Sequence, residues 1–271
     1  MSASFDVEVG VPDQKAPLVS SGEALSYPYI LPIWWRVTYI VLYFGGAVIM
    51  IAGSYQYVPG RENLLVGGII FTVGSFGYVV VDLMEWWTNA RVGCFHYSRY
   101  EESFELQYGS TFAPRDEIAS RFYRAESGLI AFHAFLGSLL YQIGSIMFIP
   151  ELGLTYLGTW LFIIGSAWLT LSQVWRIHKD GRKNRGNLID KTFRWSNMVM
   201  HPLSFAIHIF CLLATVAYFV GSIYFLPYFD KNVQRGYEAA VYFIVGSCMD
   251  TIAALLIFYR FFFTEHFTLD P

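Results

Sequence analysis

Six stretches of this chain are each long and apolar enough to cross a bilayer, whose hydrocarbon core of about 30 Å takes about 20 helical residues. They run Val37–Val58, Leu64–Trp86, Gly128–Ile149, Thr155–Val174, Pro202–Leu226 and Ala239–Phe263. A segment in hydrocarbon must satisfy every backbone N–H and C=O internally, so each is expected to be a helix. The expected fold class is therefore all-α, a polytopic membrane bundle of six transmembrane helices. The links after the first, third and fifth spans are short, at Pro59–Asn63, Pro150–Leu154 and Pro227–Glu238, whereas the other two are long and polar. Short links force antiparallel neighbours, which makes three hairpins. Charged residues supply only 14% of the chain, against about 25% in a soluble domain.

The hairpins divide the sequence. Residues 1–30 read as a disordered tail, 31–87 as the first hairpin and 88–127 as a loop with a surface helix near Arg115–Ala125. Residues 128–176 form the second hairpin, 177–200 a basic loop, 201–264 the third hairpin and 265–271 a short tail. The first segment lacks a charged start followed by an apolar core, so it does not read as a signal peptide. Of the 18 Lys and Arg, 15 fall on the side of the termini and long loops. The short turns hold three: Arg61, Lys231 and Arg235. Cytoplasmic segments carry such an excess, which predicts both termini on the cytoplasmic face or its topological equivalent in an organelle.

A Gly-Ser pair recurs in every span: Gly53-Ser54, Gly74-Ser75, Gly144-Ser145, Gly165-Ser166, Gly221-Ser222 and Gly246-Ser247. Seven residues before each of these glycines stands another small residue: Gly46, Gly67, Gly137, Gly158, Ala214 and Ala239. Three residues before come Met50, Phe71, Tyr141, Phe162, Tyr218 and Phe243. In an antiparallel pair, residues whose numbers share one sum lie at equal depth. Gly46 with Gly74 and Gly53 with Gly67 share a sum, as do the equivalent pairs of the other two hairpins. Each hairpin is thus expected to stack two layers of facing small residues, seven apart, in the heptad register of a left-handed pair. In lipid such residues act by letting backbones approach. The serines are free to bond across a helix pair or back to a carbonyl.

Small residue, aromatic, then Gly-Ser, in paired hydrophobic segments with a proline-containing turn, resembles the YrhK-like membrane domain. Each hairpin resembles one such unit, and the three cover nearly all of the chain after residue 30. The resemblance implies architecture and no activity.

The layer of Gly46, Gly74 and their equivalents is taken as the bilayer midplane. Trp34, Trp35, Trp86, Trp87 and Trp175 lie ten to 13 residues to one side of it, as an interfacial belt. In the same half, His133 and Asp250 stand four residues from the plane, His208 six, and Asp82 and Gln173 eight. At 1.5 Å per residue these are depths of about 6 to about 12 Å. Arg36 and Glu85 lie level with the belt. A buried charge costs at least about 2.5 kcal/mol on insertion scales, so these groups should face the bundle and have partners. His133 and Asp250 share a depth and are expected to pair, with His208 near. Two readings stand: a polar cavity for an ion, proton or small solute, or a satisfied cluster that orients three greasy hairpins.

No cofactor and no metal are expected. Haem held between His133 and His208 would need matched depth, and the two differ by two residues, about 3 Å. No catalytic motif is present, so the chain is not read as an enzyme. The function expected is a scaffold or a subunit of a membrane assembly, with a transporter or channel as the alternative. Expected partners are the bilayer, anionic lipid at the basic loop 176–194, and a protein at the aromatic loop 88–127. A net charge of −3 gives no footprint for nucleic acid.

Overall fold

The computed structural model describes residues 33–60, 63–90, 117–182, 193–199, 202–226 and 233–264. Among them there are helices and turns and no strand. The long helices are α1 (Ile33–Tyr55), α2 (Leu64–Ala90), α3 (Glu117–Met147), α4 (Thr155–Gly181), α6 (Pro202–Tyr224) and α7 (Val233–Tyr259). α5 (Trp195–Val199) is one short turn, and α7 ends in a π-turn, Arg260–Thr264. All six long helices are long and apolar enough to cross a membrane. This is an all-α integral membrane protein.

Sequence-local chemistry sets the turns. The Asn63 side chain accepts the Val66 N–H at 3.2 Å and so caps α2. Gly60 at φ 84 and Gly153 at φ 63 supply the left-handed conformation that closes the first and second hairpins. The expected surface helix near Arg115–Ala125 is not a separate element: α3 runs unbroken from Glu117. Gly128 is too weak a breaker inside a run of good helix formers, since it costs only about 1 kcal/mol relative to Ala. The N-terminal tail and nearly all of the two long loops lie outside the described residues, and with them most of the expected lipid and protein contacts there.

The helices form a closed ring in chain order, each against its sequence neighbours, with α7 returning to α1. Polarity runs inside out. Val41, Phe76 and Leu171 are 61%, 58% and 55% exposed on the outer surface, while the six Gly-Ser serines are buried. Five of those serines donate to the carbonyl four residues back, for instance Ser54 to Met50 at 2.7 Å and Ser222 to Tyr218 at 2.7 Å. Ser75 also lies 3.0 Å from Ser145 and 2.6 Å from Gln142 Oε1, which ties α2 to α3.

The small residues act by close approach, though not all as facing pairs. A Cβ built on Gly46 would stand 3.0 Å from the Gly74 carbonyl oxygen, and one on Gly246 3.1 Å from that of Ala214. In the second hairpin both layers bring main chain against main chain: a Cβ built on Gly137, Gly165, Gly144 or Gly158 would stand 2.9 to 3.1 Å from the carbonyl oxygen of its facing glycine. In the outer layer of the other two hairpins a ring intervenes. Gly67 faces Tyr57 and Gly221 faces Phe243, so Gly53 does not meet Gly67 backbone to backbone, nor is Gly221's nearest neighbour Ala239. A Cβ built on Gly77, which was not singled out from the sequence, would stand closer still, 2.8 Å from the Leu42 carbonyl oxygen.

Two aromatic triangles close the axis toward the short turns. Phe71, Phe162 and Phe243 are fully buried, with ring centroids 5.6, 6.1 and 6.3 Å apart. Beyond them, Tyr57, Phe148 and Phe225 are 5.4 to 5.6 Å apart. Each triangle takes one ring from each hairpin at one sequence offset. The second triangle was not foreseen, although its three rings stand four residues after Gly53, Gly144 and Gly221.

Candidate functional site

On the other side of these rings the axis opens into a cavity of about 90 Å³. It lies at the end where α2 and α4 finish and α1 and α6 begin. Helical stripes aim the side chains. Ser75, Tyr78, Asp82 and Glu85 follow one face of α2 at spacings of three and four, and His208, Cys211, Thr215 and Tyr218 do the same on α6. α1 contributes Tyr39 and Tyr43, α3 Ser138 and Tyr141, α4 Gln173 and Arg176, and α7 Asp250. Four of the five residues expected as a polar cluster therefore line one space: Asp82, Gln173, His208 and Asp250.

His133 does not join them, and the expected His133–Asp250 pair is absent. Its Nδ1–H donates to the Leu129 carbonyl at 2.7 Å, and its ring stacks on Trp168 with centroids 5.7 Å apart. The reason is azimuth. His133 is five residues from the cavity-facing Ser138, roughly 140° around α3 at 100° per residue. Equal depth places two side chains in one slab of membrane and says nothing about the direction in which they point. His208 lines the cavity and bonds Asp180 rather than meeting His133. Among the described residues no three His, Cys, Asp or Glu side chains group as a metal site. Arg36 is also elsewhere: it donates to the Phe261 carbonyl at 2.7 Å, in the π-turn.

Asp250, 6% exposed, is held by tyrosines. Tyr43 O–H donates to Oδ1 at 3.1 Å and Tyr218 O–H to Oδ2 at 3.0 Å. With its proton on Asp250, the Tyr43 oxygen accepts from the Cys211 thiol at 3.3 Å. Nearer the mouth, Arg176 pairs with Glu85 at 2.6 Å, and the His208 Nε2–H donates to Asp180 at 3.1 Å. Both pairs are one-tenth to one-quarter exposed, so the mouth meets solvent while the floor does not. The two basic groups of the lining are thus taken by Glu85 and Asp180. Among the described residues neither Asp82 nor Asp250 forms an ion pair. Outside the cavity, Glu126 receives Trp175 Nε1–H at 2.8 Å and pairs with Arg182, which locks α3 to α4.

Three lining residues keep a buried polar atom without a hydrogen-bond partner, Tyr141 Oη, Gln173 Oε1 and Arg176 Nε, while Tyr78 Oη stands beside Asp250 and Tyr218. A buried orphan costs about 1–3 kcal/mol, and structural clusters seldom leave one. The sequence signal for Tyr78 was present in the α2 stripe leading from Ser75 to Glu85, and that for Tyr141 in its place three residues before Gly144. Depth alone reveals neither.

Fold and site together define a six-span membrane protein with a central, one-ended polar cavity. Residues 128–179 match the family model described as YrhK-like protein, so this chain carries a YrhK-like domain. The match spans the second hairpin, from Gly128 in α3 to Lys179 in α4. No curated protein and no solved structure gives a significant match.

Proposed function

We propose that the chain binds a small solute in this cavity, loading it from the face that carries the long loops, and acts as a carrier. By the bias of Lys and Arg that face is cytoplasmic. The observation that supports the reading is the group of orphaned polar atoms around Asp250 and Asp82. A cluster that served only to orient helices would be dry and mutually satisfied. The two aromatic triangles close the opposite end, which fits a binding site reached from one side better than an open channel. Three hairpins around one axis is an unusual plan for a carrier, since alternating access generally rocks two halves.

A scaffold reading keeps one observation of its own, the main-chain contacts of Gly137, Gly144, Gly158 and Gly165. Site-directed labelling separates the two. In a chain with Cys94, Cys211 and Cys248 changed to serine, Ser138→Cys is expected to react with a membrane-impermeant methanethiosulfonate from the loop face alone. Ser222→Cys, behind the aromatic rings, should stay unlabelled from both faces. Ser138→Cys as inert as Ser222→Cys would leave the scaffold reading in place. A labelled cavity without ion or proton flux in liposomes, for wild type and Asp250→Asn alike, would keep binding and remove transport.

A further inference from the structure

Resting on that reading, the chemistry of the lining narrows the class of solute. The charge is one-sided. Arg176 is engaged by Glu85 and His208 by Asp180, so among the described lining residues an anion meets only cations already paired with a carboxylate. Asp82 and Asp250 line the same cavity, and no ion pair to either exists among the described residues. A cationic guest therefore complements the site.

The orphaned atoms say more. Tyr141, 4% exposed, lines the cavity with an unpartnered hydroxyl. Gln173 Oε1 is likewise without a partner. Both can accept a hydrogen bond, as can the Tyr78 hydroxyl beside Asp250, and the Gln173 oxygen can only accept. A guest that brings several N–H donors would satisfy them. A bare inorganic cation would find oxygen ligands there but nothing to match the apolar part of the lining, which includes Tyr39, Val81, Leu169, Ile207 and Ile257. Such walls suit an apolar body, and tyrosine rings attract a cation through their faces.

We infer that the cavity binds a small alkylammonium ion, its N–H groups on the carboxylates of Asp250 and Asp82 and on the hydroxyls of Tyr78 and Tyr141, its alkyl part against Val81, Leu169 and Ile207. Every polar group of the guest then meets an acceptor already in place. The alkyl part is what distinguishes it from sodium or potassium, and the charge what distinguishes it from an alcohol of the same shape.

The test is calorimetric titration of the full chain in nanodiscs with n-butylammonium chloride, with n-butanol, sodium butyrate and sodium chloride as probes at matched ionic strength. Butylammonium is expected to bind at least tenfold more tightly than the other three. Asp250→Asn, which retains acceptor and shape but not charge, should raise its Kd at least tenfold. Tyr141→Phe should raise it several-fold, with thermal unfolding unchanged. Should Asp250→Asn fail to fold, Asp82→Asn reads the same charge dependence. Butanol or sodium binding as tightly as butylammonium would overturn the ammonium assignment, as would an unchanged Kd in both carboxamide variants. If Ser138→Cys is still labelled in either case, the cavity reading survives and only the solute class falls. Absence of binding together with an unlabelled cavity removes both.

Discussion

Gly165→Val is expected to force α3 and α4 apart and to cost about 3 kcal/mol. A Cβ at this position would stand 2.9 Å from the Gly137 carbonyl oxygen and 3.0 Å from the Tyr141 nitrogen. Both are main-chain atoms in the middle of a helix, so neither can rotate out of the way. In lipid the loss is compounded. Apolar side chains gain nothing by leaving hydrocarbon for a protein interior, and close packing is a principal force holding the helices together. Gly45→Ala is the control, because a Cβ there meets nothing within 4 Å. It should be neutral or stabilise α1 by about 0.5–1 kcal/mol through helix propensity. Thermal unfolding and monodispersity in one detergent measure both. Equal stability of the two variants would show that main-chain approach does not hold this hairpin.

Phe243→Ala is the second substitution with a large effect. The ring lies 5.6 Å from Phe71, 6.1 Å from Phe162, 5.6 Å from Tyr218 and 5.3 Å from Phe225, and it is fully buried. Removing a core phenyl group costs about 3–5 kcal/mol in soluble proteins. Here the transfer from water is missing and lost dispersion contacts remain, so about 3 kcal/mol is expected. The single variant should not leak ions, because Tyr57, Phe148 and Phe225 still close the axis. Phe243→Ala with Phe225→Ala opens both triangles and is expected to leak in liposomes. A double variant as tight as wild type would mean that the seal lies elsewhere.

Much of the architecture was readable without coordinates. The six spans, the first two short turns and the burial of the Gly-Ser serines follow from hydropathy and spacing, whereas the last helix starts at Val233, inside the expected link Pro227–Glu238. Both requirements, filling about 30 Å of hydrocarbon and satisfying the backbone inside it, act on the chain locally. The site was legible in part. Asp82, Gln173, His208 and Asp250 were identified as costly at their depth and do line one cavity. Arg36, placed with Glu85 at the level of the belt, donates to the Phe261 carbonyl, and Glu85 pairs with Arg176. Tyr43 and Tyr218, the direct partners of Asp250, drew no notice as partners because tyrosine is common in this chain and carries no charge to place.

Both outcomes trace to one distinction, the one that His133 and Asp250 illustrate. The sequence by itself determined how many helices are long and apolar enough to cross a membrane, which of them pair and how far along its helix each polar group sits, since a helix rises by a constant amount per residue along its axis. Only the tertiary structure decided which depth-mates meet. Rotation of each helix about its axis is set by the packing of its two neighbours in the closed ring. That rotation turns Asp250 toward Tyr43 and Tyr218 and leaves His133 against Trp168.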